Sequence, residues 1–426
     1  MKTIGCLTVC VLALAAAGPA AAMPKYDHIL IIVEENDDAS FMLGNKNAPY
    51  FNEVLVRHGA VMSNSHGSEH PSQPNYLRLF AGSSQGINPN NIHNGLTGID
   101  PASKVQVNIP ADVSAMGAGA RYNADSSIST VVDPATHHVL VNDFGPIFQI
   151  GTDDPLPQTA DGNGGFTRPL TTPNLGAALL RAGKSFAGYS ENLLAVTPMH
   201  PKADPLAVKN VDLDHNIDYE RKHNPWSNWV RPDPTPENNG LPPNVNLDFT
   251  AFPQATGKKA IDFSGLPTVL FVIPDQFHDE HGNKKVAAHS DPSVRAMDVF
   301  LAQYIEPFRR WAAAHNSLLI VTWDEDAYTV LKGENGEPVD PAGQPVPVDA
   351  NGLPTRAYFP NHIVTVLAGA HVRQGSYKQL VDHCNVLRTV ELAEGLEPLS
   401  TDGSTCDAKA APITAPFATA SHMRHP

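Results

Sequence analysis

The chain has 426 residues, of which 42% are hydrophobic, and it can therefore bury a large core in one big domain or two. Its formal net charge of −15 argues against a nucleic-acid-binding surface, because such a surface requires basic patches and the sequence contains no basic run. Only 7% of the residues are aromatic, whereas 38 prolines and 31 glycines indicate long ordered loops.

Residues 1–22 have the three parts of a secretory signal peptide. Lys2 is followed by the apolar run Ile4 to Ala17 and then by small residues up to Ala22, after which cleavage is expected. We therefore predict export of a mature chain, residues 23–426, to the periplasm or the extracellular space. Beyond the signal no apolar run approaches the roughly 20 residues that span a bilayer, so we expect no transmembrane segment.

Two cysteines, Cys384 and Cys406, remain in the mature chain. In an oxidising compartment they can pair and tie the C-terminal tail to the helix near Asp382. Two separate thiols are an equally good interpretation, since spacing alone does not show that the two sulfurs meet.

The first apolar run, His28 to Val33 (HILIIV), predicts a buried central strand of a parallel sheet. It ends in the acidic sequence EENDD, residues 34–38. Open α/β sheets bind their ligands at the carboxyl ends of the strands, and a carboxylate with an amide there suits a hard cation. The alternative is an ordinary charged surface loop.

The stretch Glu69 to Gly82 (EHPSQPNYLRLFAG) predicts a strand-to-helix turn after a strand at Ala60 to Asn64. Pro71 and Pro74 should make this turn rigid. Ser72 would then lie at a helix N-terminus, where free N–H groups suit a nucleophile that attacks an anion. The alternative is that Ser72 is only a helix N-cap.

Further apolar runs predict more strands, each next to polar residues. Thr268 to Ile273 is followed by PDQFHDEHG, Ser317 to Thr322 by WDED, and Ile363 to Ala368 is preceded by Asn361 and His362. The repeated order of strand, polar residue and helix predicts an α/β fold with a central, mostly parallel sheet flanked by helices. Helices are expected at Ala48 to His58, Asn174 to Ala182, Ser293 to Ala314 and Asp382 to Gly395.

Two stretches, about 88–170 and 197–264, lack any long helical period and are predicted as loop-rich insertions in a single domain of residues 23–426. Insertions of this length are often lids or pocket walls, although structural padding is the alternative.

Five motifs resemble, in their order along the chain, those of the bacterial phosphoesterase family. They are VEEN, HPSQPNYLRLFAG, PDQFHDEHG, WDED and DHCNVLRTVE. That family contains secreted acid phosphatases and phospholipases C and lies within the alkaline phosphatase superfamily. QPNYLRL is also similar to the FPNHYTL-like run that follows the nucleophile in the superfamily's nucleotide pyrophosphatases. The resemblance covers most of the mature chain outside the insertions and implies an alkaline phosphatase-like fold.

The resemblance implies that Glu35, Asn36, Asp324 and Glu325 bind one divalent metal ion, and that Asn36 also contacts a phosphate oxygen. Ser72 corresponds to the nucleophile that becomes phosphorylated. The other positions that the resemblance implies near the phosphate are Asn75, His70, His278, Asp279, His281 and His383.

The chain departs from the family pattern in three places. Asp38 stands where the family usually has Ser, and the usual Asn-Asp-Met-His-Asp run becomes HDEHG at residues 278–282. Two-zinc members of the superfamily use Asp-His where this chain has Asp324 and Glu325. An all-oxygen site favours one hard divalent ion, and Ca, Mg, Mn, Fe and Zn all stay open as its identity.

These residues predict an exported, metal-dependent acid phosphatase that hydrolyses phosphomonoesters through a phosphoserine at Ser72. His281 or His383 would protonate the leaving oxygen. Because an unperturbed histidine is charged below a pKa of about 6.5, we expect an acid optimum.

Two other functions stay open at this point. A phospholipase C-type phosphodiesterase is favoured if the loops around Trp226 and Trp229 form an apolar groove for lipid. An exported protein that binds metal or phosphate without turnover is the non-enzymatic alternative, and Asp38 is its only hint. The partner in each case is a phosphate ester or phosphate, and the sequence does not indicate the oligomeric state.

Overall fold

The structure is a computed structural model. The predicted signal peptide, residues 1–22, and the candidate site residue His70 lie outside the residues that it describes. Within the described ranges no helix combines the length and apolar character that crossing a membrane requires. The described residues are 23–68, 72–83, 170–193, 219, 223–230, 234–255, 260–282, 286–287, 289–327 and 361–417, with the backbone of 121–122, 128–132 and 139–141.

Eight strands form the central sheet. Their bounds are β1 (His28–Glu34), β2 (Ala60–His66), β6 (Phe186–Ser190), β7 (Asn246–Asp248), β8 (Val269–Ile273), β9 (Ser317–Trp323), β10 (His362–Gly369) and β11 (Gly375–Val381). They lie in the order β11-β2-β10-β9-β1-β8-β6-β7. A separate antiparallel sheet contains β3 (Arg121–Tyr122), β4 (Ile128–Val132) and β5 (Val139–Val141).

Neighbouring strands of the central sheet are parallel except at β10, which is antiparallel to both β2 and β9. The predicted fold class, a mostly parallel sheet flanked by helices, is confirmed. Because β10 runs the opposite way, its first residues lie at the edge where the parallel strands end. Asn361 and His362 are thereby placed at the same polar edge as the acidic strand ends.

Helices cover both faces of the sheet. Successive residues of β1 point to opposite faces, so Ile29 and Ile31 join one apolar cluster while Leu30 and Ile32 join the other. The continuous apolar run of β1 follows from burial on both sides. The α-helices are α1 (Ala39–Met42), α2 (Ser72–Ala81), α3 (Leu175–Arg181), α4 (Asp291–Phe300), α5 (Glu306–Ala314) and α6 (His383–Ala393).

Shorter helical segments complete the flanking layers. A π-helical turn, Leu301–Ile305, joins α4 to α5, so the helix predicted over 293–314 is interrupted rather than regular. Pro307 follows this turn, and its missing N–H and bulky ring explain why the regular hydrogen-bond pattern changes there. The other segments are the π-helical Phe51–Val56 and 3-10 turns at Pro225–Asn228, Pro243–Val245, Phe249–Ala251 and Cys406–Ala408.

Part of the predicted second insertion belongs to the core. Its residues 246–248 form β7, which pairs in parallel with β6. Trp226 and Trp229 are both fully buried, and the ring of Trp226 lies so close to Gly188 of β6 that a Cβ there would come within 2.0 Å of it. This stretch is therefore not a purely loop-like decoration of the sheet.

Cys384, near the start of α6, is bonded to Cys406, and their Cα atoms lie 5.7 Å apart. The backbone N–H of Cys406 donates to the carbonyl oxygen of Gly82, directly after α2. The bridge thus fastens the C-terminal tail to two neighbouring helices, and the pairing that spacing left open is resolved.

We expect Cys406→Ser to lower the free energy of unfolding by about 3 kcal/mol, the loop-closure value for a bridge between residues 22 positions apart. Denaturant unfolding without reductant measures this difference. Reductant should lower the stability of the wild type to that of the variant and leave the variant unchanged. A wild type whose unfolding free energy does not respond to reductant would contradict the expectation.

Candidate active site

Ser72 is the first residue of α2 and is 2% exposed. Its Oγ lies 3.1 Å from Oε2 of Glu35 and 3.2 Å from Oε1 of Glu325, so the one hydroxyl proton can be donated to either carboxylate. Glu35 directly follows β1, and Glu325 lies two residues after β9. The ends of two adjacent parallel strands therefore hold the hydroxyl at a helix N-terminus.

Backbone hydrogen bonds fix these two strand ends against each other. The N–H of Asn36 donates to Oδ1 of Asp324 over 3.3 Å, and the N–H of Asp324 donates to the carbonyl oxygen of Glu34 over 3.0 Å. Asn36 has a φ of 53°, a left-handed conformation that Asn tolerates better than most residues. The turn after β1 is thereby bent toward β9, which brings the predicted metal-binding residues together.

The carboxylates of this site fit the predicted divalent cation. Asp324 Oδ2 is buried and has no hydrogen-bond partner among the described residues, which leaves that oxygen available to a cation. Oxygen atoms of Glu35, Asp324, Glu325 and Ser72 are the ligand type that hard divalent ions prefer. Burial, and then the charges of Glu35 and Glu325, raise the pKa of Asp324 well above its usual range. A bound cation would offset this repulsion.

His223 belongs to the site although no sequence motif indicated it. It is 1% exposed, its Nε2 lies 3.1 Å from Oε1 of Glu35, and its Nδ1 lies 3.5 Å from Oδ2 of Asp279. Its ring stacks on Tyr76 of α2 at a centroid distance of 4.9 Å. The available signal was the sequence HNPW, in which the histidine lies two residues before a turn that Trp226 anchors in the core.

Asp279 is placed at the site by the loop after β8. Its carbonyl oxygen accepts the N–H of Glu35 over 2.7 Å, and its Oδ1 accepts the N–H of His281 over 2.9 Å. Burial, followed by the charge of Glu35, raises the pKa of Asp279 well above its usual range. The ring of His281 lies 6.4 Å from that of His223, so this loop brings a second imidazole near the carboxylates.

His278, predicted near the phosphate, has two other partners. Its Nδ1 lies 2.9 Å from Oε2 of Glu191 and 3.2 Å from Oδ1 of Asp275. Burial lowers the pKa of His278, but the hydrogen bonds to Asp275 and Glu191 outweigh it and raise the pKa to about 10.

His383, predicted as a catalytic residue, begins α6 and is 1% exposed. Its Nε2–H donates to the carbonyl oxygen of Trp323 over 3.0 Å, and burial lowers its pKa. Because Trp323 is the last residue of β9, this hydrogen bond suits a neutral His383 to positioning the strand end that carries Asp324. The predicted role of His383 as a proton donor stays a prediction.

Asn75, the predicted phosphate ligand on α2, is fully buried, and its Oδ1 accepts the N–H of Ser68 over 3.0 Å. It thereby spans the turn that leads into α2. His70 lies in the part of this turn outside the described residues, so its predicted role and the phosphate-binding role of Asn75 both stay predictions.

Residues 44–397 match the family model described as the Phosphoesterase family. The chain belongs to the Phosphoesterase family. The family resemblance predicted from the five motifs is confirmed, and membership supports a phosphoric ester hydrolase. The matched range begins after β1 and includes Ser72, Asp324 and Glu325.

A Phosphatidylinositol-3-phosphatase from Mycobacterium tuberculosis is 29% identical to this phosphoesterase over 377 residues, which are 88% of this chain and 80% of that protein. Among solved structures, the wild-type alkaline phosphatase PafA is 10% identical with a TM-score of 0.42 and covers 93% of this chain and 100% of its own. An alkaline phosphatase superfamily protein from Vibrio parahaemolyticus is 10% identical with a TM-score of 0.42, covering 94% and 72%.

We expect the stability of the metal-free phosphoesterase to fall as the pH rises above about 4, the ordinary carboxyl pKa. Asp279 and Asp324 have raised pKa values in the folded state, so they keep protons that the unfolded chain releases. The stability that these protons contribute is fully present below the carboxyl pKa of the unfolded chain. It is lost as the pH rises through the raised pKa of the folded protein. A bound divalent ion should reverse the trend, because metal ligands bind deprotonated.

Urea unfolding at about pH 5 and pH 8, with chelator or with Mn²⁺, measures both slopes. Asp324→Asn should flatten the slope of the chelated protein. Equal slopes with chelator and with metal would show that these carboxylates do not hold a cation.

Proposed function

We propose that this protein is an exported, metal-dependent phosphomonoesterase of the acid phosphatase type that acts through a phosphoserine at Ser72. The observation that carries the proposal is the position of Ser72 Oγ, within 3.1 and 3.2 Å of carboxylates from two strands and at the start of a ten-residue helix. A hydroxyl in this position has proton acceptors beside it and backbone N–H groups that can bind an anion.

A divalent cation bound by Glu35, Asn36, Asp324 and Glu325 would supply positive charge that lowers the pKa of the Ser72 hydroxyl and offsets the charge of the phosphate. The chain itself positions the reacting groups. With its hydroxyl proton released to solvent, Ser72 Oγ forms a bond to phosphorus, while the bond from phosphorus to the leaving oxygen breaks. The N-terminal N–H groups of α2 stabilise the equatorial oxygens.

His281 is our proposed donor of the proton that the leaving oxygen takes up. Each ring has one nitrogen near a backbone carbonyl oxygen, that of Gly282 for His281 and that of Trp323 for His383, but His281 is half-buried whereas His383 is buried. His223 lies between the carboxylates of Glu35 and Asp279 and is suited to offset their charge. Water then gives a proton to His281 and attacks phosphorus, the bond from phosphorus to Ser72 Oγ breaks as phosphate leaves, and Oγ takes up a proton from solvent.

Two observations favour a monoesterase over the alternatives. Trp226 and Trp229, which a lipid groove would have to expose, are fully buried. Asp38, the only hint of an inactive binding protein, caps α1 by accepting the N–H groups of Ser40 and Phe41. The name of the mycobacterial relative supports a phosphomonoester as the substrate and makes inositol phospholipids a class to test.

We expect metal-dependent turnover of p-nitrophenyl phosphate that is fastest below about pH 6.5 and falls at least about a thousandfold in Ser72→Ala. Ser63→Ala, which changes a serine on β2 bonded to the carbonyl of Tyr377, is the matched control and should keep wild-type activity. Phosphate retained on the wild type after an acid quench would identify the phosphoserine.

Bis-p-nitrophenyl phosphate and p-nitrophenylphosphorylcholine serve as competing substrates in the same assay. A preference for either would support the phospholipase C alternative. Turnover that survives Ser72→Ala would exclude the mechanism, and no turnover with any divalent metal would favour the binding protein.

His281→Asn should slow hydrolysis of glycerol phosphate by about a hundredfold, because an alkoxide leaves poorly without a proton. It should slow p-nitrophenyl phosphate by less than about tenfold, since nitrophenolate leaves without one. Measuring kcat/KM for both substrates gives the ratio. His383→Asn is the comparison, and we expect it to affect both substrates equally. Equal losses in His281→Asn would exclude His281 as the proton donor.

A further inference from the structure

A second group of metal-ligand side chains lies at the ends of β6 and β8, apart from the residues that hold Ser72. Glu191 follows β6, and Asp275 and His278 lie in the loop after β8. One ligand atom from each of the three lies within 4.8 Å of the others, and His278 Nδ1 is 2.9 Å from Glu191 and 3.2 Å from Asp275. Donor atoms about 3 Å apart are what two ligands of one ion at about 2.1 Å would show.

Glu34 provides an independent observation. It ends β1, is fully buried, and neither of its carboxylate oxygens has a hydrogen-bond partner within the described part of the chain. Burial raises the pKa of Glu34 well above its usual range, while the charge of the nearby His278 lowers it and the charge of Glu191 raises it. A buried carboxyl group without a partner is costly.

We propose that Glu191, Asp275 and His278, with Glu34 beside them, form a second divalent-cation site that is separate from the site at Ser72. The donor set of carboxylates and one imidazole suits Mn²⁺ or Zn²⁺ better than Mg²⁺ or Ca²⁺, which prefer oxygen alone. His278 binds through Nδ1 and releases its proton when the ion enters. The inference does not depend on the reaction at Ser72.

The position of this site gives the ion a structural task. It would join the end of β6 to the loop that runs from Asp275 to Asp279. Asp279 in turn accepts the N–H of Glu35 and contacts His223. A cation here clamps the loop that supports the carboxylates around Ser72, so we expect it to contribute to the order of the site without touching the substrate.

The rival arrangement has no ion. A protonated His278 bridges Glu191 and Asp275, and Glu34 stays neutral by keeping its own proton. The two arrangements differ in the number of ions bound per chain and in where the second ion lies.

The experiment counts metal in the full mature protein after chelation, loading with Mn²⁺ or Zn²⁺ and removal of excess ion, by mass spectrometry of the elements. We expect two ions per wild-type chain, one in Glu191→Gln and one in Glu325→Gln, with the double variant binding none. Glu53→Gln, an exposed acid on the π-helical segment, is the matched control and should keep two. Mg²⁺ should occupy only the site lost in Glu325→Gln.

A wild type that binds one ion, or a Glu191→Gln variant that keeps two, would overturn the second site. If the variant does not fold, crystals of the wild type soaked in Mn²⁺ decide the question through an anomalous peak at about 2.1 to 2.3 Å from His278 Nδ1. Absence of that peak overturns the proposal. Loss of an ion in Glu325→Gln but not in Glu191→Gln would report on the Ser72 site alone. The two variants therefore test the two proposed sites separately.

Discussion

The crowding of buried carboxylates around Ser72 is the constraint on which the rest of the site depends. Glu35, Asp324 and Glu325 are each less than 5% exposed, so water screens their repulsion poorly. Such a group is stable only if protons, an imidazolium or a metal ion offset the charge. The same excess of negative charge suits the site to binding a cation. A cation bound there would attract a phosphate, so an acidic site is compatible with an anionic substrate.

The strand geometry distributes this charge between two places. Adjacent residues at the end of β1 point in opposite directions, so Glu35 meets Ser72 while Glu34 interacts with His278 and Glu191. Backbone hydrogen bonds from β1 to β9 and to the loop after β8 keep both carboxylates in place. One strand end therefore connects the proposed catalytic site with the proposed second cation site, and the loop that carries Asp279 belongs to both.

The histidines show how environment separates residues that look alike in the sequence. His278 bridges two carboxylates, His383 donates to a backbone carbonyl inside the core, and His281 lies half-buried near His223. Their neighbours differ because each comes from another element. The family pattern placed three of them close to the phosphate, whereas their contacts differ: two carboxylates for His278, a backbone carbonyl for His383 and the ring of His223 for His281.

The sequence by itself determined the α/β class, the buried strands, the helix that begins at Ser72 and the carboxylates at the ends of β1 and β9. These features follow from local periodicity and from the rule that parallel strands end at one edge. Only the tertiary structure decided the edge strands β7 and β11, the antiparallel β10, the pairing of Cys384 with Cys406 and the place of His223. Edge strands lack a continuous buried run, and the other features depend on contacts between residues far apart in the chain, which no local pattern encodes.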